Sequence, residues 1–232
     1  MARKKVERTE DDIRDYPSYS IEEVADYIDV PKQTLRAWVS GYSYTTKSGK
    51  HRRPPVIKIA NKRKSLLSFF NLIEAQVLAA TRKRGISLYR VRRSIEYMRE
   101  HLRQDRPLLT CVFDTVGQDM FVQQVEGQKF KDPLNITRHG QFAFKVVLKR
   151  YLSRIERDAS GLPTLLYPMK AGGKTITIHP CISSGKPSLR KSGVMAEVIW
   201  RRKREGETAT SLAKDFKTSV GEIKAAITYF AA

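Results

Sequence analysis

Apolar positions near the start of the chain recur at helical spacing, and they do so twice in quick succession. Ile21, Val24, Ala25 and Ile28 fall at i, i+3, i+4 and i+7, the apolar face of a short helix. Ser20 precedes that face with Glu23 three residues on, the reciprocal pairing of a capping box. Asp29 and Val30 break the pattern, and Pro31 suits a first helical position, where a missing amide proton leaves nothing unsatisfied. Leu35, Trp38 and Val39 then face inward, which leaves Lys32, Gln33, Thr34 and Arg36 on the exposed start of the second helix. Two short helices across one turn, the second basic, predict a helix-turn-helix, whose second helix sets its N-terminal residues against base edges in the major groove. A plain helical hairpin with a solvated face shares the periodicity, and charge decides between the two.

Lys and Arg number 44 against 24 Asp and Glu, a formal charge of +20, so a polyanion is the expected partner. Between Asp29 and Glu74 there is no acidic residue, while Lys32, Arg36, Lys47, Lys50, Arg52, Arg53, Lys58, Lys62, Arg63 and Lys64 all fall inside. A merely solvated surface mixes its signs. The stretch 41–58 is rich in Tyr, Ser, Thr and Gly and turns apolar at Val56, Ile57 and Ile59, which predicts a two-stranded wing. In that arrangement Lys32, Gln33 and Arg36 read base edges, and Lys47, Lys50, Arg52, Arg53 and Lys58 hold phosphates.

Farther along, 66–84 is apolar nearly all round, with Phe69, Phe70, Ile73, Val77 and Leu78, and should be a buried helix. Leu88, Val91, Ile95, Met98 and Leu102 then form a seam at spacings of three and four that fits core packing or dimerisation equally. Arg82, Lys83, Arg84, Arg90, Arg92 and Arg93 surround the intervening turn at Gly85, a tip that either touches DNA backbone or is simply solvated. From Pro107, the runs Leu108, Leu109, Cys111, Val112, Phe113 and Met120, Phe121, Val122 about a Gly117-Gln118 turn predict a hairpin. A helix is expected over 141–157, with Phe144, Val147, Leu148, Tyr151 and Ile155 inward, followed by a packed linker over 158–173. The tail offers a short strand at 175–178, a helix over 194–204 and two more helices about Lys217-Thr218, the second with a Ser219/Glu222 capping box and a buried stripe of Val220, Ile223, Ile227 and Phe230. This small helical unit favours dimerisation or partner binding, with DNA contact through Lys214, Lys217, Thr218 and Lys224 as the alternative.

Other chemistries find little support. Cys111 and Cys181 lie too far apart for a metal pair, and two cysteines are no disulfide framework; with no apolar span and no signal segment in MARKKVERTEDD, a reduced, cytoplasmic setting without membrane attachment is expected. His51, His101, His139 and His179 are scattered and suggest no metal or cofactor. Gly172-Gly173-Lys174-Thr175 ends like a phosphate-binding loop, but Pro168 occupies the earlier glycine position and a strand pattern follows. No set of paired carboxylates suits a magnesium-dependent nuclease, so no enzymatic activity is expected.

Residues 175–230 also carry an ordered set of features: His179-Pro180 closing a strand, Gly185-x-Pro187, Gly193, Gly206 before SLAKDF, and Ala226-Ile227-x-Tyr229. This tail resembles the small domain of bacterial antitoxins encoded beside PIN-like toxins, departing from it at Arg190-Lys191-Ser192, where relatives usually have a glycine and threonine pair. With the MerR-like winged helix-turn-helix in front and His139-Gly140-Gln141 in the middle, the layout resembles the long VapB-type antitoxins. The resemblance implies a homodimer that binds double-stranded operator DNA as an autorepressor and neutralises a VapC-type PIN-domain ribonuclease. A stand-alone transcriptional regulator shares every DNA-binding feature, and a helical scaffold presenting its basic face to an acidic protein is a further rival. The expected fold is mainly α within the α+β class: a winged helix-turn-helix and helical hairpin over 1–106, a connecting hairpin, helix and linker over 107–173, and a helix-turn-helix-like helical domain over 174–232.

Overall fold

The computed structural model describes residues 12–83, 85–116, 119–125, 128–135, 141–142, 153–168 and 173–231, with the stretch 111–142 described at the level of its backbone. Helices and short antiparallel sheets alternate, and the α+β class holds. Helix α1 (Ile21–Tyr27) begins at Ser20, whose hydroxyl accepts from the Glu23 amide while the Glu23 carboxylate accepts from the Ser20 amide, so the capping box is complete. Helix α2 (Lys32–Ser40) starts one residue later than the proline pattern implies, because Pro31 has extended backbone and is itself the N-cap. The turn passes through Asp29 at a φ of 55°, and Lys83 pairs with its carboxylate at 2.8 Å.

The wing is β1 (Tyr42–Thr46) paired with β2 (Gly49–Arg53), narrower than the apolar continuation suggests. Val56, Ile57 and Ile59 are not wing residues. They turn into the core, and the amides of Val56 and Ile57 both donate to the Trp38 carbonyl of α2 at 2.7 and 3.1 Å. Gly41 joins α2 to the wing at a φ of 74°, and a Cβ there would meet the Arg53 carbonyl oxygen at 2.3 Å. Only glycine satisfies both the left-handed backbone and that approach.

Helix α3 (Phe69–Lys83) is the axis of the larger core, buried on every side from Phe69 to Thr81 as its apolar sequence demands. Helix α4 (Leu88–His101) lays Val91, Ile95 and Met98 into the same core with Leu88 and Leu102 at its margin, so the seam is used within the chain. Helix α5 (Pro107–Thr110) takes Leu108 and Leu109 as helix rather than strand, since both bury against the core. A four-stranded antiparallel sheet follows in sequence order: β3 (Cys111–Val116), β4 (Asp119–Val125), β5 (Gln128–Asn135) and β6 (Gln141–Phe142). The hairpin is therefore present and two strands larger than expected. The expected helix over 141–157 fails at both ends, at β6 and at β7 (Ile155–Arg157); its middle lies outside the described residues.

Strand β7 pairs with β8 (Pro163–Leu166), and this hairpin, placed partly in the proposed linker, brings Ile155, Leu162 and Leu166 into the larger core. Arg14 fastens it to the N-terminal segment, reaching Asp158 at 3.0 Å from a guanidinium that also lies 5.0 Å from the Phe70 ring centre. A second, smaller core holds β9 (Ile176–Thr177), β10 (Ser188–Leu189), α6 (Ala196–Arg204), α7 (Ala209–Asp215) and α8 (Val220–Ala231). Ser219 and Glu222 form the expected cap. The buried stripe of α8 is rotated from the expected one: Ile223, Ala226 and Tyr229 are buried, while Val220, Ile227 and Phe230 are half-buried.

The two cores meet at α1. Lys186 donates to Glu23, the capping-box carboxylate, and a Cβ at Gly185 would meet the Tyr19 hydroxyl at 2.2 Å. Burial would raise the Glu23 pKa, but the hydrogen bonds from Lys186 and Ser20 outweigh it and hold the carboxyl below its ordinary value. Its contribution to stability is therefore complete above the ordinary carboxylate range and is lost as pH falls through the lowered folded value. Thermal unfolding followed between about pH 3 and 7 should show a shallower acid loss in Lys186→Met than in the parent chain, and identical profiles would mean that the contact contributes nothing.

Within the larger core, Glu74 is 8% exposed and accepts two bonds from Arg106, at 3.0 and 2.7 Å, while Arg106 also reaches Asp15 at 2.6 Å. Breaking such a pair strands a buried charge, which costs about 3–5 kcal/mol. Urea unfolding of Glu74→Ala should show a loss of that order, and a change below about 1 kcal/mol would demote the pair to a bystander.

Candidate nucleic-acid interface

Helix α2 and the wing leave one after the other from the same edge of the larger core, and their exposed side chains are almost wholly basic or hydroxylic. On α2, Leu35, Trp38 and Val39 are buried, which fixes the roll of the helix and turns Lys32, Gln33 and Arg36 to solvent, with Thr34 half-buried. An α-helix rises 1.5 Å per residue, so these three side chains occupy little more than one turn. Arg36 is not wholly free. Its guanidinium lies 3.6 Å from the Glu22 carboxylate of α1, with both side chains about half exposed. Such an exposed pair is worth little, so it orients Arg36 without holding it back from a stronger acceptor.

The strand register sorts the wing residues onto two faces, since side chains alternate along each strand. Ser43 lies opposite Arg52 and Thr45 opposite Lys50 on one face, while Tyr42 lies opposite Arg53 and Tyr44 opposite His51 on the other. Arg52 and Arg53, adjacent in sequence, therefore act on different sides. The Lys50 and Arg52 side carries charge beside small hydroxyls. The other side is an aromatic stack: Tyr44 on His51 at 5.5 Å and 26°, Tyr42 beside Tyr44 at 6.0 Å, and the Arg53 guanidinium 5.5 Å from the Tyr44 ring centre. Lys47 sits at the hairpin tip between β1 and β2. Lys58 follows the wing, exposed between the buried Ile57 and Ile59, and its carbonyl accepts from Asn71 of α3 at 2.9 Å. Its charge is thus carried by a backbone pinned to the core.

The helical tip between α3 and α4 is less available than its charge suggests. Arg82 donates to the Ile86 carbonyl at 2.7 Å, and Lys83 is held by Asp29. Before α3, at its other end, Lys62, Arg63 and Lys64 lie exposed in a turn closed by the Asn61–Leu66 bridge. Arg92 of α4, one of the basic residues the sequence groups around this tip, is half-buried, and Tyr42 and Arg53 of the wing act on its charge. Burial lowers its pKa, Tyr42 and Glu96 act to raise it, and Arg53 acts to lower it further. In the smaller core, Arg202 of α6 is occupied by Glu207 and Asp215, and Lys214, Lys217 and Lys224 are exposed singly. Among the described residues, no group of three His, Cys, Asp or Glu side chains is placed to hold a metal ion, and no helix is long and apolar enough to cross a membrane.

Residues 17–95 match the family described as "Putative DNA-binding HTH domain", a span that takes in both helices, the wing and most of the α3/α4 hairpin. The chain is 24% identical over 229 residues to "Putative antitoxin VapB45" of Mycobacterium tuberculosis strain H37Rv, covering 94% of this chain and 95% of that protein. It is 27% identical over 220 residues to "Uncharacterized protein Rv2308" of the same organism, covering 91% of this chain and 89% of that one. The crystal structure of Rv2018 from Mycobacterium tuberculosis superposes with a TM-score of 0.63 at 19% identity, over 91% of this chain and 98% of that one, and so shares the fold. The chain thus carries an N-terminal DNA-binding helix-turn-helix and is similar, along nearly its whole length, to a protein named as a VapB antitoxin.

Proposed function

We propose that this protein is the antitoxin and autorepressor of a toxin-antitoxin pair, binding double-stranded operator DNA through α2 and the wing and neutralising a PIN-domain ribonuclease of the VapC type. The observation that carries the DNA half is the ordered stretch from Lys32 to Arg53: a basic helix and a basic hairpin, free of acidic residues, presented on the larger core. Lys32, Gln33, Thr34 and Arg36 are placed on base edges and nearby backbone. Lys47, Lys50, Arg52, Arg53 and Lys58 take phosphates. The antitoxin half rests on the similarity to VapB45 along nearly the whole chain, which extends over the smaller core as well as the helix-turn-helix. A homodimer is part of the reading, because paired helices in successive major grooves read an inverted repeat. On this reading the molecule has no catalytic activity of its own and works in the cytoplasm. The units would be 1–106 for DNA, 107–173 as connection and 174–232 for the partner.

Arg36→Ala should lose roughly 1–3 kcal/mol on the operator and little on random duplex if the guanidinium reads a base. Equal losses on both would make it a phosphate contact. Lys50→Ala combined with Arg52→Ala should weaken all sequences alike and flatten the salt dependence of the binding constant, and an unchanged slope would remove the wing from the interface. For the toxin half, the tagged chain expressed from its own operon and purified in high salt should retain a small PIN-like protein in fixed ratio. Recovery of the tagged chain alone would favour a stand-alone regulator.

A further inference from the structure

The turn that precedes α3 carries three consecutive basic residues and is tied down at both ends. Lys62, Arg63 and Lys64 are all exposed, and Asn61 and Leu66 close the turn beneath them by exchanging two backbone hydrogen bonds of 3.0 Å each. The Asn61 side chain accepts from the Lys64 amide at 3.0 Å, and Ser65 passes through the left-handed region at a φ of 53°. On one side the Ala60 amide donates to Asn71 of α3 at 2.9 Å. On the other, Leu67 bridges to Tyr19, the residue before the Ser20 cap of α1, its amide donating to the Tyr19 carbonyl at 2.8 Å and its carbonyl accepting from the Tyr19 amide at 2.9 Å. The tip is therefore fixed to α3 and to the start of α1. No acidic residue falls between Asp29 and Glu74, Glu74 is committed to Arg106, and none of the three basic side chains forms an ion pair among the described residues. At the far end of α3, by contrast, Arg82 and Lys83 are taken up by the Ile86 carbonyl and by Asp29. Three adjacent cations repel one another, and a turn is made readily by small polar residues that carry no charge. Folding alone does not call for them.

We propose that the Lys62–Lys64 turn is a second grip on the backbone of the DNA duplex, separate from the wing, taking phosphates that flank the groove occupied by α2. This rests on the DNA-binding reading above and adds to it a surface that neither the helix nor the wing supplies. In a helix-turn-helix the first helix crosses the backbone while the second enters the groove. A basic turn bonded to the residue that precedes α1 is thus carried beside the helix that meets phosphates. The backbone of the turn is fixed before DNA arrives, so only the three side chains lose freedom on contact. Two point charges and one guanidinium fork suit phosphate oxygens, whose charge also relieves the repulsion among them. Being sequence-blind, the contact registers α2 against the groove without choosing bases.

Binding of a fluorescent duplex of about 30 base pairs, followed by anisotropy from about 50 to 300 mM salt, tests the grip. Lys62→Gln, Arg63→Gln and Lys64→Gln combined should weaken operator and random duplexes by the same factor and lower the slope of log K against log salt by about one to three, about one for each phosphate given up. Lys62→Arg, Arg63→Lys and Lys64→Arg combined keep the charge and should keep the parent slope, which separates lost phosphate contacts from a damaged turn. Lys214→Gln, Lys217→Gln and Lys224→Gln combined remove the same charge from the smaller core and should leave the slope as it is. An equal fall in this control would make the effect one of net charge and overturn the grip. If the parent chain binds DNA with a steep slope and the turn variant leaves that slope unchanged, the grip is wrong and the helix and wing stand. The same holds if the turn variant binds DNA normally but loses a protein that copurifies with the parent chain. If the parent chain binds no duplex at about 50 mM salt, the DNA-binding reading falls and the grip with it.

Discussion

The carboxylate of Glu74 is the point on which the helix-turn-helix is hung. It sits in α3, a helix buried on every side, where a charge is tolerable only if it is fully paired. Arg106 supplies two bonds from one direction, and the Asn71 side-chain amide supplies another at 3.0 Å. Asn71 is thereby oriented, with its oxygen toward the amides of Ala60 and Ser68 and its nitrogen also toward the Lys58 carbonyl. These are the residues by which the chain returns from the wing to the core. The position of an exposed basic hairpin is thus fixed by a buried ion pair two steps away. Arg106 in turn reaches Asp15 and lies over the Phe70 ring, which draws the N-terminal segment into the same arrangement.

The proposed DNA interface has the opposite electrostatics. Lys32, Lys47, Lys50, Arg52 and Lys58 are exposed, and no acidic residue falls between Asp29 and Glu74 to balance them. Exposed like charges repel weakly in water and are screened within about 10 Å at ordinary salt, so the fold tolerates them. The same lack of internal partners leaves them able to displace counterions from a polyanion. Arg36 is intermediate: its contact with Glu22 at 3.6 Å is loose enough to yield to a base edge, and it would disfavour burying the arginine where no acceptor exists.

The parts of the fold written in short-range pattern were the parts legible in the sequence. The capping box at Ser20, the inward roll of Leu35, Trp38 and Val39, the burial of α3 and the seam of α4 all follow from spacing and local hydrogen bonding. Failures arose where a distant element decides. Val56, Ile57 and Ile59 looked like a strand because they are β-branched, but the Trp38 carbonyl takes two of their amides and ends the wing early. Ile155 fitted a helical face, yet it pairs in a strand with Leu166, and Leu166 in turn bonds Ile178 on its other edge. Charge counting grouped Arg52 with Arg53 and set Arg92 at a helical tip. Register separates the first two onto opposite faces of the wing.

The rotated stripe of α8 has the same origin, and it bears on how the smaller core is attached. Hydrophobicity alone favours Val220, Ile227 and Phe230, but the helix buries Ala226 and Tyr229, and the Tyr229 phenol is pushed above its ordinary pKa by burial and then by the charge of Asp26 on α1. Tyr27 is raised by its own burial, with Glu23 and then Tyr229 among the charges acting on it. Tyr229 therefore marks where the smaller unit approaches the first helix of the helix-turn-helix, beside the Lys186 contact to Glu23. Ser183, Ser184 and Gly185 precede that lysine with successive φ values of 49°, 52° and 76°, and two consecutive non-glycine residues in the left-handed region cost about 1–3 kcal/mol each unless surroundings hold them. The Ser183 hydroxyl bonded to the Gly193 carbonyl at 2.6 Å and the close fit of Gly185 on Tyr19 supply that hold. The carboxylate that caps α1 is also the acceptor for Lys186, so the strained loop and the first helix of the helix-turn-helix share one hydrogen-bonded group.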